Sequence, residues 1–329
     1  MNNLKTKTIM KQNLTILLLI LISGLSYGQG TVDAEFDTTF HYQFKSLKNT
    51  HNKKILIDQS HNTIYSLSYG KETAREMLRI MEEDGFSVLF TEQAFDSIHL
   101  NETKPDLLVL HGMPNDKIVL NSGEKKEVIY KSPLRNSEVM DIARYVYNGG
   151  SLLLFLSHFP GGSGALPLLE AFSIKFRDGY SYHPDFPGHN GGMCSHFLMT
   201  DKNGMININH PVLTTRLSDE INPDTIKFLC GAAVFRNPED NILPFPNNTI
   251  NFTPTHDGSP DIEEISDSYA GMIGFNFGAG RVIVCTDQGI FRSLDLFIDG
   301  EKIPVTIHDP ECDNADLFLN SIRWLSKLQ

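Results

Sequence analysis

Four short segments constrain this chain most: "KKILIDQ" from Lys53, "FSVLF" from Phe86, "PDLLVLHG" from Pro105 and "SLLLFLSHFPGG" from Ser151. Each is apolar at consecutive positions rather than at every second one. A strand with one wet face alternates, so strands of this kind must be covered on both faces. Between them lie helical patterns. "KETAREMLRIMEEDG" sets Ala74, Met77, Leu78 and Met81 at helical spacing and ends at Gly85. "NSEVMDIARYVYNGG" sets Met140, Ala143 and Tyr147 on one face, with Asn136 or Ser137 as cap and Gly149 at its end. Strands alternating with amphipathic helices specify a mainly parallel sheet, and the expected fold class is α/β.

Further along, "ALPLLEAF" reads as a helix and "DTIKFLCGAAVF" as a strand, and "YAGMIGFNFG" with "GRVIVCTD" reads as a hairpin turning at Gly278 to Gly280. The terminal pattern "NADLFLNSIRWLSKL" predicts a helix capped by Asn314 that buries Phe318, Ile322 and Leu325. Residues 178–222 are irregular and rich in Gly, His, Asn and Pro, and 237–264 reads as a polar surface insertion.

The first 28 residues hold three lysines and no acid, then the apolar run "LTILLLILISGL", then the small-residue end "SYG". That order predicts a secretory signal peptide cleaved near Gly28, a polar lead-in over 29–52, and a single domain over 53–329. The apolar run falls short of the roughly 20 residues of a span, so no stable membrane insertion is expected and the mature chain should be periplasmic or secreted. Losing the three lysines takes the net charge from −12 to about −15, a surface that repels phosphate backbones and makes nucleic acid an unsuitable partner. Cys230 and Cys285 fall inside apolar segments and read as small core residues. Cys194 and Cys312 lie in polar loops and could pair in an oxidising compartment.

Ligands of open parallel sheets bind outside the carboxyl ends of the strands. Here the first strand exits into Asp58, His61 and Asn62, the third into His111, the fourth into Ser157 and His158, and "GRVIVCTDQG" into Asp287. Three chemistries could use this set. Ser157 could be a nucleophile with a histidine as base, although "LSHFPG" lacks the first glycine of a G-x-S-x-G elbow; the base would then be His61, His111 or His308. His61, His111 and His158 with Asp58 could hold a divalent metal such as zinc, without any paired H-E-x-x-H spacing. Plain recognition of a polar ligand is the third. The loop "RDGYSYHPDFPGHNGGMCSHF" adds Tyr180, Tyr182 and His183, residues suited to a sugar or peptide.

The blocks "ILIDQSHN", "YVYNGGSLLLFLSHFPGGSGALPLLEAFSIKFRDGY", "NHPVLTTRL", "FGAGRVIVCTDQGIF" and "NADLFLNSIRWL" follow one another in an order that resembles an uncharacterised bacterial family with the class I glutamine amidotransferase-like fold. The resemblance covers most of 53–328 and implies a flavodoxin-like three-layer sandwich. It also implies a shared Asp-x-x-His-Asn block, matched by Asp58, His61 and Asn62. Where that family carries Asp-His before a proline, this chain has Ser157 in place of the aspartate and keeps His158 and Pro160. A Gly-x-Cys-x-Gly elbow and a later His-x-Glu pair are both missing, so classical glutamine hydrolysis is not expected. The expected protein is exported and binds a carbohydrate- or peptide-derived ligand at the strand ends through His158, His61, Asp58 and Ser157. Metal-assisted hydrolysis and non-catalytic binding both stay open.

Overall fold

A computed structural model of the chain describes residues 32–37, 39–47, 52–61, 74–111, 116–122, 125–214, 222–254, 260–265 and 268–328. The expected signal peptide and Asn62 lie outside these residues. In chain order the strands are β1 (Val32–Phe36), β2 (Lys54–Asp58), β3 (Ser87–Thr91), β4 (Leu107–His111), β5 (Asp116–Ser122), β6 (Lys125–Lys131) and β7 (Ser151–Phe155). Then come β8 (Lys175–Arg177), β9 (Tyr180–Tyr182), β10 (His196–Thr200), β11 (Thr225–Leu229), β12 (Ala233–Phe235) and β13 (Asn241–Pro244). The last are β14 (Ile250–Pro254), β15 (Pro260–Glu264), β16 (Ala270–Phe277), β17 (Gly280–Cys285), β18 (Leu294–Ile298) and β19 (Glu301–Ile303). Helices are α1 (Arg75–Glu83), α2 (Ser97–Thr103), α3 (Asn136–Tyr147), α4 (Leu166–Ala171), α5 (Pro211–Thr214) and α6 (Asn314–Leu325).

Nine strands form the main sheet in the order β3-β2-β4-β7-β17-β16-β12-β8, with β13 also on β16. The strands β3, β2, β4, β7 and β17 run parallel. Beyond β17 every pairing is antiparallel, beginning with the β16–β17 hairpin. Successive residues of the apolar strands point to opposite faces. Ile55, Ile57, Val109, Leu153 and Ile283 join Met77, Ile80 and Met81 of α1 and Phe318 and Ile322 of α6 in one core. Leu56, Leu108, Leu110, Leu154 and Val284 join Ile142 and Val146 of α3 and Leu168 and Leu169 of α4 in the other. Each such side chain taken out of water stabilises by about 1.5–3 kcal/mol, which is why the strands read as unbroken apolar runs.

Four local expectations need correction. Helix α3 turns Val139, Ile142 and Val146 inward with Glu138, while Met140 and Tyr147 are exposed. It begins after Arg135 without a side-chain cap, and Asn314 is not the cap of α6 but its first residue. The Asn314 amide instead donates to the carbonyls of Lys227 and Ile290, tying α6 to β11. The segment "DTIKFLCGAAVF" is two strands, broken at Cys230 (φ 57°). Cys194 pairs with Cys230 and not with Cys312, because the break after β11 turns Cys230 out of the strand toward the 188–195 loop. Finally, 237–264 is no surface insertion. It supplies β13 to the main sheet and β14 to a three-stranded sheet ordered β15-β14-β9, and buries Ile242, Leu243, Phe245 and Phe252.

Candidate functional site

Parallel register places the strand ends level. Leu110 and His111 lie opposite Leu154 and Phe155, and Phe155 lies opposite Cys285. Asp58, His111, Ser157, His158 and Asp287 therefore all sit at one end of the sheet, as expected of a ligand-binding edge. What their side chains do there differs from strand to strand.

After β2, the buried Asp58 carboxylate accepts hydrogen bonds from the Ser60 amide (2.8 Å) and hydroxyl (2.7 Å). Its other oxygen meets His61 Nδ1 at 2.7 Å. His61 Nε2 lies 3.1 Å from Glu138 Oε1, which also accepts from the Phe95 amide at 2.9 Å. The result is a buried carboxylate, imidazole and carboxylate in a row joining the β2 end, the α2 approach and α3. Burial alone would drive the proton off His61, but hydrogen bonds and charge from Asp58 and Glu138 outweigh it and hold its pKa at about 9. Burial likewise opposes ionisation of Glu138, and the His61 contact still keeps its pKa below the usual carboxylate range. A histidine that is protonated and bonded at both nitrogens has no lone pair to offer a metal or a substrate proton.

After β7 the environment is neutral and aromatic. The His158 Nδ1 lies 3.1 Å from the Phe159 carbonyl oxygen, to which it donates, and Nε2 has no hydrogen-bonding partner among the described residues. Burial lowers the His158 pKa, only partly offset by that carbonyl, so the ring is neutral. It stacks on Tyr180 (centroids 4.5 Å apart, planes 22° apart), which stacks in turn on Phe252 (5.0 Å, 16°). Tyr180 and Phe252 are direct partners across β9 and β14, so strand register builds this row of rings. Ser157 precedes it, half-buried, with its Cβ packed where Gly161 has no side chain. Gly162 must also lack one, since a Cβ there would fall 2.3 Å from Phe176 Cζ.

The remaining expected residues separate into structural roles. Asp287 caps the turn after β17: its carboxylate accepts from the Leu229 amide (2.6 Å) and the Gly289 amide (2.8 Å). Burial pushes its pKa up to about 7. His183 accepts from the Asp185 amide at Nδ1 and donates from Nε2 to the Asn247 carbonyl at 2.9 Å, so it is a loop brace. Tyr182 is half-buried on β9, outside the ring row. His308 is paired with Asp295 at 2.7 Å, beside β18. Only the backbone of His111 is described, and no group of three or more His, Cys, Asp or Glu side chains among the described residues could hold a metal ion. A metal on His61 would have to displace a carboxylate first.

Three residues of this region were not singled out from sequence: Glu138, Asp178 and Phe252. Glu138 shares a helix face with Ile142, four residues on, which is the signal that it points inward. Asp178 and Phe252 carry no such signal, because their neighbours are set by strand pairing far along the chain.

No family model and no curated protein matches this chain. Among solved structures it is similar to the mmIFT52 N-terminal domain, at 13% identity and TM-score 0.50, over 83% of this chain and 97% of that domain. This likeness is one of fold alone. Two ThuA-like proteins are also similar. The one from Parabacteroides merdae has 14% identity and TM-score 0.40, over 84% of this chain and 91% of that one. The one from Bacteroides uniformis has 13% identity and TM-score 0.38, over 88% and 95%.

Proposed function

We propose that this chain is an exported protein that uses a three-layer, class I glutamine amidotransferase-like sandwich to bind a carbohydrate- or peptide-derived ligand at the carboxyl ends of its sheet. His158 is the central contact. One observation carries the reading: His158 is neutral, its tautomer is fixed by the Phe159 carbonyl, and its Nε2 lone pair has no partner among the described residues. Such a nitrogen accepts a hydrogen bond from a sugar hydroxyl or a peptide amide, while the adjoining rings offer an apolar wall to carbon-bound hydrogens. Export is supported by the basic, apolar and small order of residues 1–28 and by the Cys194–Cys230 disulfide, a bond that persists in oxidising compartments. Among the described residues no helix is long and apolar enough to cross a membrane.

A second reading, hydrolysis, is favoured by the same neutral histidine standing next to Ser157. A general base needs a free nitrogen of this kind. Binding comes first because the His158 Nδ1 proton goes to a backbone carbonyl and not to a carboxylate that would stabilise the imidazolium of a turnover cycle. The test is thermal shift of the mature chain against neutral oligosaccharides and short peptides, wild type beside His158→Ala, with mass spectrometry of each mixture. Stabilisation lost in the variant and no product supports binding. Product formation moves the assignment to hydrolase, and no shift with any probe overturns both.

A further inference from the structure

Resting on that role for His158, the next question is what holds its ring in place. The loop after β7 docks on residues 178–180 through few contacts. The Phe159 amide donates to the Gly179 carbonyl at 3.2 Å, and the Gly161 amide closes the turn on the His158 carbonyl at 2.8 Å. The third contact is the Asp178 carboxylate, which accepts from the Gly162 amide and the Ser163 hydroxyl. Its Oδ1 is buried without a hydrogen-bonding partner among the described residues, so both contacts fall on Oδ2. The Asp178 carbonyl is itself fixed by the Thr253 hydroxyl at 2.6 Å, next to Phe252 of the ring row.

A carboxylate buried beside no cation is expensive to keep. The adjacent Arg177 does not relieve it: its guanidinium goes to Glu263 (2.7 Å) and Asp261 (3.8 Å). Burial accordingly pushes the Asp178 pKa up to about 6 against the two hydrogen bonds that oppose the shift. We propose that Asp178 is the positioning residue for His158, its carboxylate clamping the Gly162–Ser163 turn so that the His158 ring stays seated on Tyr180. The clamp grips the turn four and five residues past His158, and the Tyr180 ring lies two residues past the clamp. One short segment therefore holds both the loop and the surface the ring rests on.

The test is NMR of the His158 ring in the full mature chain, followed through a pH titration in wild type, Asp178→Ala, Asp178→Asn and Ser163→Ala. No ligand is needed. In Asp178→Ala the His158 carbon-bound proton should lose the ring-current displacement imposed by Tyr180, and its titration should rise toward the ordinary histidine value. Asp178→Asn keeps an amide oxygen that accepts from Gly162 and Ser163, so it should restore both signatures; Ser163→Ala should fall between. A folded Asp178→Ala with unchanged His158 shift and titration overturns the proposal, as does an Asp178→Asn as altered as the alanine variant. If Asp178→Ala does not fold, Ser163→Ala decides, and an unchanged His158 there rejects the clamp. A His158 that moves with Asp178 in a protein that answers no oligosaccharide or peptide keeps the clamp and rejects the ligand reading alone.

Discussion

Two histidines stand at neighbouring ends of one sheet and are driven in opposite directions. His61, after β2, is charged because Asp58 and Glu138 grip both its nitrogens. His158, after β7, is neutral because aromatic rings and a single carbonyl surround it. The first has spent all its hydrogen-bonding capacity inside the protein, and the second has one nitrogen left over. Position at a strand end is thus no guide to function by itself; what matters is whether the fold has already used the group.

The largest effect should come from breaking the charged side. Glu138→Ala leaves a buried imidazolium with one partner fewer and should cost about 3–5 kcal/mol in urea denaturation. A loss under about 1 kcal/mol would mean the row is not the latch described here. Next, removing the Cys194–Cys230 bond as Cys194→Ala/Cys230→Ala should cost about 2–4 kcal/mol, since it closes a 36-residue separation. That loss should leave the His61 titration unchanged and so separate the two regions. Third, the His61 pKa is raised from 6.5 to about 9 in the folded chain, so its contribution to stability is fully present below pH 6.5 and disappears as pH rises through about 9. The gap in melting temperature between wild type and His61→Gln should narrow over that window; a constant gap would show that the ring is not charged. The smallest structural effect belongs to His158→Ala, about 0.5–1.5 kcal/mol of ring stacking, with loss of any ligand response as its main consequence.

Strand existence was legible because burial on both faces writes itself into consecutive residues such as Leu152 to Leu156. Helix orientation was not. Helix α3 carries two apolar stripes at the same spacing, Val139, Ile142 and Val146 beside Met140, Ala143 and Tyr147. The stripe bordering Glu138 turns inward because His61 waits there to neutralise it. An acid in the first turn of a helix ordinarily reads as a favourable partner of the helix dipole at the surface, so nothing local gives this one away. The cysteine pairing was hidden for a similar reason: Cys230 looks like core because its strand is core, and only the left-handed residue after Leu229 takes it out of line. Asp58 and His61 were readable as a pair from their spacing of three, whereas the third member needed the tertiary fold.

The ring row also dates the site. Phe252 reaches Tyr180 only through the pairing of β14 with β9, across a long intervening stretch that includes the 194–230 disulfide loop. Closing so large a loop is entropically late, after local helices and adjacent parallel strands have formed. A chain cut anywhere between Tyr182 and Ile250 would carry His158 and Tyr180 yet lack the strand and ring that back them. During synthesis or refolding the nascent protein would therefore possess its sheet before it possessed a face to present, and premature encounter with a ligand would find nothing assembled.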